Sequence, residues 1–210
     1  MLPKIIHQII IGDKQNKVIK RCLSSWKTLT KRDFEIRVWN RDTIQSFVQE
    51  NYPFALDIVL TARNYAELSD IARYLIIYHY GGHYYDYDIQ LLDLDLFSSL
   101  HEDNTSGFLL EDLSDGAIAC EGFCASPSEP YLHKLVKDIV EIYEKGDREK
   151  LHTIDYSGPF RMRDSLRKSQ TRQNIIPVND VFLYSYHEIK EMPERAINRP
   201  MIHYWIHSWL

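Results

Sequence analysis

The feature that most limits what this chain can fold into lies in its middle, where a helical apolar stripe meets two glycines and an acidic extended segment follows at once. Leu68, Ile71, Ala72, Leu75 and Ile76 recur at helical spacing. Asn64 stands where an N-cap belongs, with Glu67 three positions on as its reciprocal partner. Gly81-Gly82 stops the helix, because glycine takes up backbone angles that side chains resist. Tyr84 to Asp88 is expected to leave that turn as a strand.

The surrounding pattern repeats the same alternation. Lys4 to Ile11 reads as a buried central strand broken by Gly12 and Asp13, and Val18, Cys22, Trp26 and Leu29 as a helix. Phe34, Ile36 and Val38 alternate with polar residues as the inner face of a half-buried strand. Asn40 and Asp42 can start a short helix with Ile44 and Phe47 inward. Pro130 suits the first turn of a helix carrying Leu132, Leu135, Val136, Ile139 and Val140, with Gly146 as its stop. Ile175 to Tyr184 is strand-like and broken by Pro177, whereas the Gly, Asp and Ser residues of 93–128 suggest loops near a site mouth. Strand, helix, strand, helix in this order predicts an α/β domain.

Composition bounds the function. A chain of 210 residues fits one domain, 1–210, and 44 % hydrophobic with 26 % charged residues is a globular rather than a disordered balance. The net charge of -5 argues against non-specific nucleic-acid binding. Cys22, Cys120 and Cys124 form no disulfide framework and are expected to be unpaired thiols. The apolar run Ile5 to Ile11 is too short to span a bilayer, and the start lacks a signal-peptide core. A soluble cytoplasmic protein is the expectation, with peripheral attachment at the inner face of the membrane left open.

Along an extended segment, a period of two puts Tyr84, Asp86 and Asp88 on one face. Two carboxylates converging this way repel unless a cation, a proton or a basic side chain neutralises them. Their oxygen ligands suit Mg2+ or Mn2+, although a solvated acidic pair on a loop would look the same. Asp70 and Arg73, three apart on the preceding helix, are either an ion pair worth about 0.2–0.5 kcal/mol if exposed or ligands for sugar hydroxyls and phosphate. His203 and His207, four apart, could share a helical face. Arg161, Arg163, Arg167 and Lys168 form a basic helical cluster that is either a solvated face or a lure for an anionic acceptor or membrane surface.

Together these segments resemble the DXD-containing sugar transferases of glycosyltransferase family 32, related to the yeast initiating mannosyltransferases and, more distantly, to clostridial glucosylating toxins. The resemblance rests on Ile5-Ile6-His7-Gln8-Ile9, on Leu68-Ser69-Asp70-Ile71-Ala72-Arg73-Tyr74, and on Tyr80-Gly81-Gly82-His83-Tyr84-Tyr85-Asp86-Tyr87-Asp88. It ends on His203-Tyr204-Trp205-Ile206-His207-Ser208-Trp209. It implies a GT-A-like fold, a central mixed sheet flanked by helices, with residues 200–210 closing over the donor site. It further implies a UDP- or GDP-sugar donor, Mn2+ or Mg2+ at the diphosphate, and retention of anomeric configuration.

Carried onto this chain, the resemblance makes Asp88 the direct metal ligand and places Asp86 near the donor ribose or sugar as well as at the metal. Asp70 and Arg73 match residues that orient the donor sugar, and Tyr84 an aromatic of the donor pocket. Ile9 and Ile10 belong to the strand that would line the base, with Ile10 standing where relatives often have tryptophan. His203, His207 or Ser208 would complete the metal-diphosphate site, and Trp209 would cap it. The acceptor would be a carbohydrate or a glycolipid. Two readings compete: a two-metal phosphodiesterase or nuclease, which needs a second ligand set, and a carbohydrate-binding protein without turnover.

Overall fold

The computed structural model describes residues 1–12 and 16–206. Its strands are β1 (Ile5–Ile9), β2 (Glu35–Trp39), β3 (Gly82–Tyr85), β4 (Ile89–Leu91), β5 (Gly107–Glu111), β6 (Ile118–Ala125), β7 (Asn174–Pro177) and β8 (Met201–His203). Its helices are α1 (Lys17–Trp26), α2 (Arg41–Asn51), α3 (Leu56–Leu60), α4 (Tyr65–Tyr80), α5 (Leu94–Asp103), α6 (Pro130–Glu144), α7 (Thr153–Tyr156) and α8 (Pro159–Leu166). Six strands form one mixed sheet in the order β2-β1-β3-β6-β5-β7. The β1 strand runs parallel to β2 and β3, while β6 is antiparallel to both β3 and β5. A separate antiparallel pair joins β4 to β8.

Strand alternation sends successive side chains into two helical layers. Tyr84 enters the layer of α2, α4 and α6, packing with Leu75, Leu132 and Phe123. Tyr85 enters the other, where its ring stacks on Trp26 at 4.8 Å. Trp26 in turn donates from Nε1 to the Ile89 carbonyl at 2.8 Å, and Ser25 Oγ accepts from the Leu91 amide at 2.9 Å. By these bonds α1 holds β4 in place beside the main sheet. Among the described residues, no helix is long and apolar enough to cross a membrane. All three cysteines are unpaired, as their spacing suggested.

Several expectations are corrected. The α4 helix carries no solvent face from Glu67 to Ile77, because the sheet covers one side and α3 and α6 the other. Asp70 and Arg73 are therefore buried, at 3 % and 2 % exposure, and not an exposed pair. Asn64 does cap α4 through the Glu67 amide at 2.9 Å, but the Glu67 carboxylate does not reach back. It is buried instead against Arg63 at 2.7 Å and Arg148 at 3.5 Å. A reciprocal box forms two helices earlier, at the start of α2, between Asn40 and Thr43.

The segment 93–128, expected as loops, holds α5 and the two sheet strands β5 and β6. Its glycines misled because Gly122 is not a turn residue: a Cβ there would come within 3.1 Å of the Tyr85 ring. Val38 breaks the expected alternation and is 56 % exposed, on a β2 that forms the edge of the sheet. His203 lies on a strand, so the helical face proposed for it does not form.

The crossing of β3 and β1 is the tightest backbone approach near the site. Gly82 has φ of +93°, and a Cβ there would sit 2.6 Å from the Ile5 carbonyl oxygen. Gly82→Ala should combine left-handed strain with a backbone clash and cost about 2–3 kcal/mol or more. A denaturant titration should show the midpoint falling at unchanged slope; an unmoved midpoint would contradict the crowded crossing.

Candidate functional site

The acidic motif does not sit on a strand as its spacing suggested. The β3 strand ends at Tyr85 and the chain turns over Asp86-Tyr87-Asp88, closed by the Ile89 amide donating to the Asp86 carbonyl at 3.0 Å. The Asp86 amide donates to the Glu121 carbonyl at 2.9 Å, which ties the turn to β6. Asp86 and Asp88 nevertheless converge, because β4 pairs with β8 in a register that sets Ile89 opposite His203. Carboxylate oxygens of Asp86 and Asp88 and a ring nitrogen of His203 all lie within 4.8 Å of one another.

Asp88 is the anchor of this convergence. Its Oδ1 lies 3.2 Å from His203 Nε2, its Oδ2 accepts from the Ile206 amide at 2.7 Å, and its carbonyl accepts from the Tyr204 amide at 3.2 Å. Burial alone would raise its pKa, but the adjacent imidazole and these hydrogen bonds bring it below the usual carboxylate range. Burial opposes the charge on His203, yet Asp88, with Glu121 and Asp86 beyond it, holds its pKa above that of a free imidazole. The buried Nδ1 of His203 has no hydrogen-bond partner, and Glu121 Oε1 approaches it to 3.8 Å.

Arg73 lies on the other side of Asp86. Its Nη1 is 3.5 Å from Asp86 Oδ1 and donates to the Cys120 carbonyl at 2.6 Å, while Nη2 is 3.5 Å from Asp70 Oδ1. The guanidinium centre lies 4.6 Å from the centroid of the Tyr84 ring, and the Tyr84 hydroxyl donates to Asp86 Oδ1 at 2.6 Å. Ser157 Oγ donates to the second Asp70 oxygen at 2.7 Å. Burial pushes Asp70 up to about 6 despite Arg73 and the Ser157 hydrogen bond. Burial likewise raises Asp86, with Arg73 opposing.

A cavity of about 290 Å³ gathers these groups, with Asp70, Arg73, Asp86, Asp88 and His203 in its wall. Glu121, Thr153, Gly158 and Trp205 complete it from three other segments. Ile9 is instead core, packed with the residues around α2 and α4, and Ile10 pairs its amide with the Trp39 carbonyl at 2.8 Å. Neither lines this cavity, and Tyr84 reaches it only through Asp86 and Arg73. His207, Ser208 and Trp209 lie outside the described residues. Glu121, Ser157 and Trp205 were not assigned from sequence: Glu121 falls on a strand read as loop, Ser157 carries no motif spacing, and Trp205 was read only as part of the closing signature.

A carboxyl whose folded pKa exceeds its unfolded value binds its proton more tightly when folded. Its contribution to stability is therefore complete below about pH 4 and lost as pH rises through about 6. Asp70→Asn removes that loss. The stability of the variant relative to the parent should rise between pH 4 and pH 7 by a few kcal/mol, at about 1.4 kcal/mol per pKa unit. Melting temperatures at the two pH values check this, and a constant difference would place the Asp70 proton elsewhere.

Residues 12–106 match the family model described as the glycosyltransferase sugar-binding region containing the DXD motif. Inositol phosphoceramide mannosyltransferase 1 of Schizosaccharomyces pombe is 25 % identical over 143 residues, which cover 66 % of this chain and 43 % of that protein. Mannosyl phosphorylinositol ceramide synthase SUR1 of Saccharomyces cerevisiae is 32 % identical over 92 residues, covering 42 % of this chain and 23 % of the relative. The chain thus spans less than half the length of these curated relatives. In three dimensions it superposes on the PaToxG glycosyltransferase with a TM-score of 0.60 at 18 % identity, over 80 % of this chain and 69 % of the other, a likeness of fold. The matched region holds Asp70, Arg73, Asp86 and Asp88, all of which line the cavity, and over that part of its length the chain is similar to the glycosyltransferases that carry a DXD-containing sugar-binding region.

Proposed function

We propose that the chain transfers a sugar from a nucleoside-diphosphate sugar to an acceptor hydroxyl, with retention of configuration, using a divalent cation held by Asp86, Asp88 and His203. The observation that carries this reading is the convergence of those three side chains in the cavity that also contains Asp70 and Arg73. The donor set fits the ion. Two carboxylates and an imidazole within 4.8 Å of one another are a donor set that suits Mn2+. A cation there would offset the charge gathering on the departing diphosphate.

The chain's own residues supply the rest. Arg73 offers guanidinium protons next to Asp86, where a phosphate or sugar oxygen can share them. Asp70, held by Ser157, can accept from donor hydroxyls and fix the ring of the sugar. Tyr84 locks Asp86 in place by its hydroxyl. Asp70, Asp86 and Asp88 are thus engaged in hydrogen bonds that favour positioning over nucleophilic attack, which supports a same-face displacement assisted by the leaving phosphate. The segment from His203 to Ile206 closes one side of the donor cavity. A two-metal phosphodiesterase would need a second cluster, and one group of three metal-capable side chains is found among the described residues.

The test is to expose the protein to a panel of UDP- and GDP-sugars with and without Mn2+, following nucleotide binding by calorimetry and slow donor hydrolysis. We expect at least one donor to bind only with the metal, and Asp88→Ala to abolish both signals. Metal-independent binding, or full activity in Asp88→Ala, would overturn the assignment.

A further inference from the structure

Next to the donor cavity runs a second, larger one of about 780 Å³, within the range of ligand sites. The two share Glu121, Ile154, Pro159 and Trp205 as a common wall. Its floor is strongly aromatic, built from Phe160, Tyr184, Tyr186 and Trp205. Asp112 and Asp115, on the β5–β6 connection, line it together with Asn179 and Ser185. Each aspartate uses Oδ1 to cap its own turn, on the amides of Ser114 and Ala117 at 2.9 and 2.8 Å, which leaves Oδ2 to accept from a ligand hydroxyl.

Trp205 has an unusual backbone. Its φ is +45°, a left-handed conformation that strains a non-glycine residue. The amides on either side of it, Tyr204 and Ile206, both bond Asp88, so the metal-motif aspartate imposes that conformation. The result is an indole ring 4.2 Å from His203 and 5.7 Å from Tyr186, standing between the two cavities.

The charge of the second cavity selects its occupant. Among its lining residues His187 is the one basic side chain, against the carboxylates of Asp112, Asp115 and Glu121. The arginines that cover two of its rings are already paired: Arg163 over Phe160 with Asp164, and Arg195 over Tyr184 with Glu188. Lys190 sits 5.7 Å from the Tyr186 ring, outside the lining. Phosphate-bearing ligands would meet carboxylates with little to offset them. Pyranose rings, with apolar faces for aromatic rings and hydroxyls for carboxylates, match on both counts.

We infer that this groove is the acceptor subsite and that it takes an uncharged, hydroxyl-rich glycan, with Trp205 as the platform that sets the acceptor sugar against the donor. The direction of transfer rests on the donor-site reading above; the binding of a neutral glycan does not. This differs in charge from the phosphoinositol headgroup in the names of the yeast relatives.

Saturation-transfer NMR on the whole protein would compare mannotriose, maltotriose and N-acetylchitotriose with glycerophosphoinositol. At least one neutral trisaccharide should bind, with no signal from glycerophosphoinositol at the same concentration. Phe160→Ala and Tyr186→Ala should each weaken that binding by about fivefold or more, and Trp205→Ala by about tenfold. Phe160 makes no bond to Asp88 among the described residues, so its variant keeps the test valid should Trp205→Ala misfold. Preferential binding of glycerophosphoinositol, no binding of any trisaccharide, or equal binding by all variants would overturn the inference. Calorimetry with Mn2+ and nucleotide separates the two claims. Lost nucleotide binding with intact trisaccharide binding sinks the donor reading alone, and the reverse sinks this one alone.

Discussion

Taking a guanidinium out of water costs several kcal/mol unless its donors and its charge are met. Arg73 is met on every side: the Ser69 and Cys120 carbonyls take its protons, Asp70 and Asp86 balance its charge, and the Tyr84 ring lies beneath it. Those partners come from α4, β6, β3 and the turn that follows β3. Arg73 therefore fixes where a helix, a strand and a turn can sit relative to one another. It also makes the acidic cluster tolerable, since Asp70, Asp86, Asp88 and Glu121 share one buried volume with a single guanidinium and one imidazole.

The cluster is organised as two balanced halves around Asp86. On one side Arg73 compensates Asp70 and Asp86; on the other His203 compensates Asp88. The halves differ in what can replace their positive charge. Arginine keeps its proton at any pH the protein meets, whereas an imidazole can exchange a proton for a metal ion. The fixed half thus suits the holding of sugar and phosphate oxygens, and the exchangeable half suits the reception of a cation.

Much of this was legible in the sequence because it is local. The caps at Asn40 and Asn64 and the Gly81-Gly82 stop follow from near neighbours in the chain. What was misread depends on distant contacts. The burial of Asp70 and Arg73 requires knowing that α6 covers the outer side of α4. The glycines of β5 and β6 look like turn residues until the Tyr85 ring above Gly122 is known. Glu121 and Ser157 carry no spacing that links them to the motif, and His203 changes from helix to strand through its pairing with β4. Paired aspartates just past the end of a strand announce chemistry; the residues that tune them are brought in by the fold.

The small β4–β8 sheet has a consequence in time as well as in space. The bond from Ile206 to Asp88 spans 118 residues, and His203 reaches the motif only through that pairing. A chain emerging from the ribosome can assemble the helices and strands around Asp70 and Arg73 long before this last pairing is available. The convergence of Asp86, Asp88 and His203 would therefore arise late, after the supporting sheet is in place. A molecule cut before β8 would carry most of the fold while lacking the His203 side of the acidic cluster, so the geometry around Asp88 depends on a pairing that compaction of the main sheet does not supply.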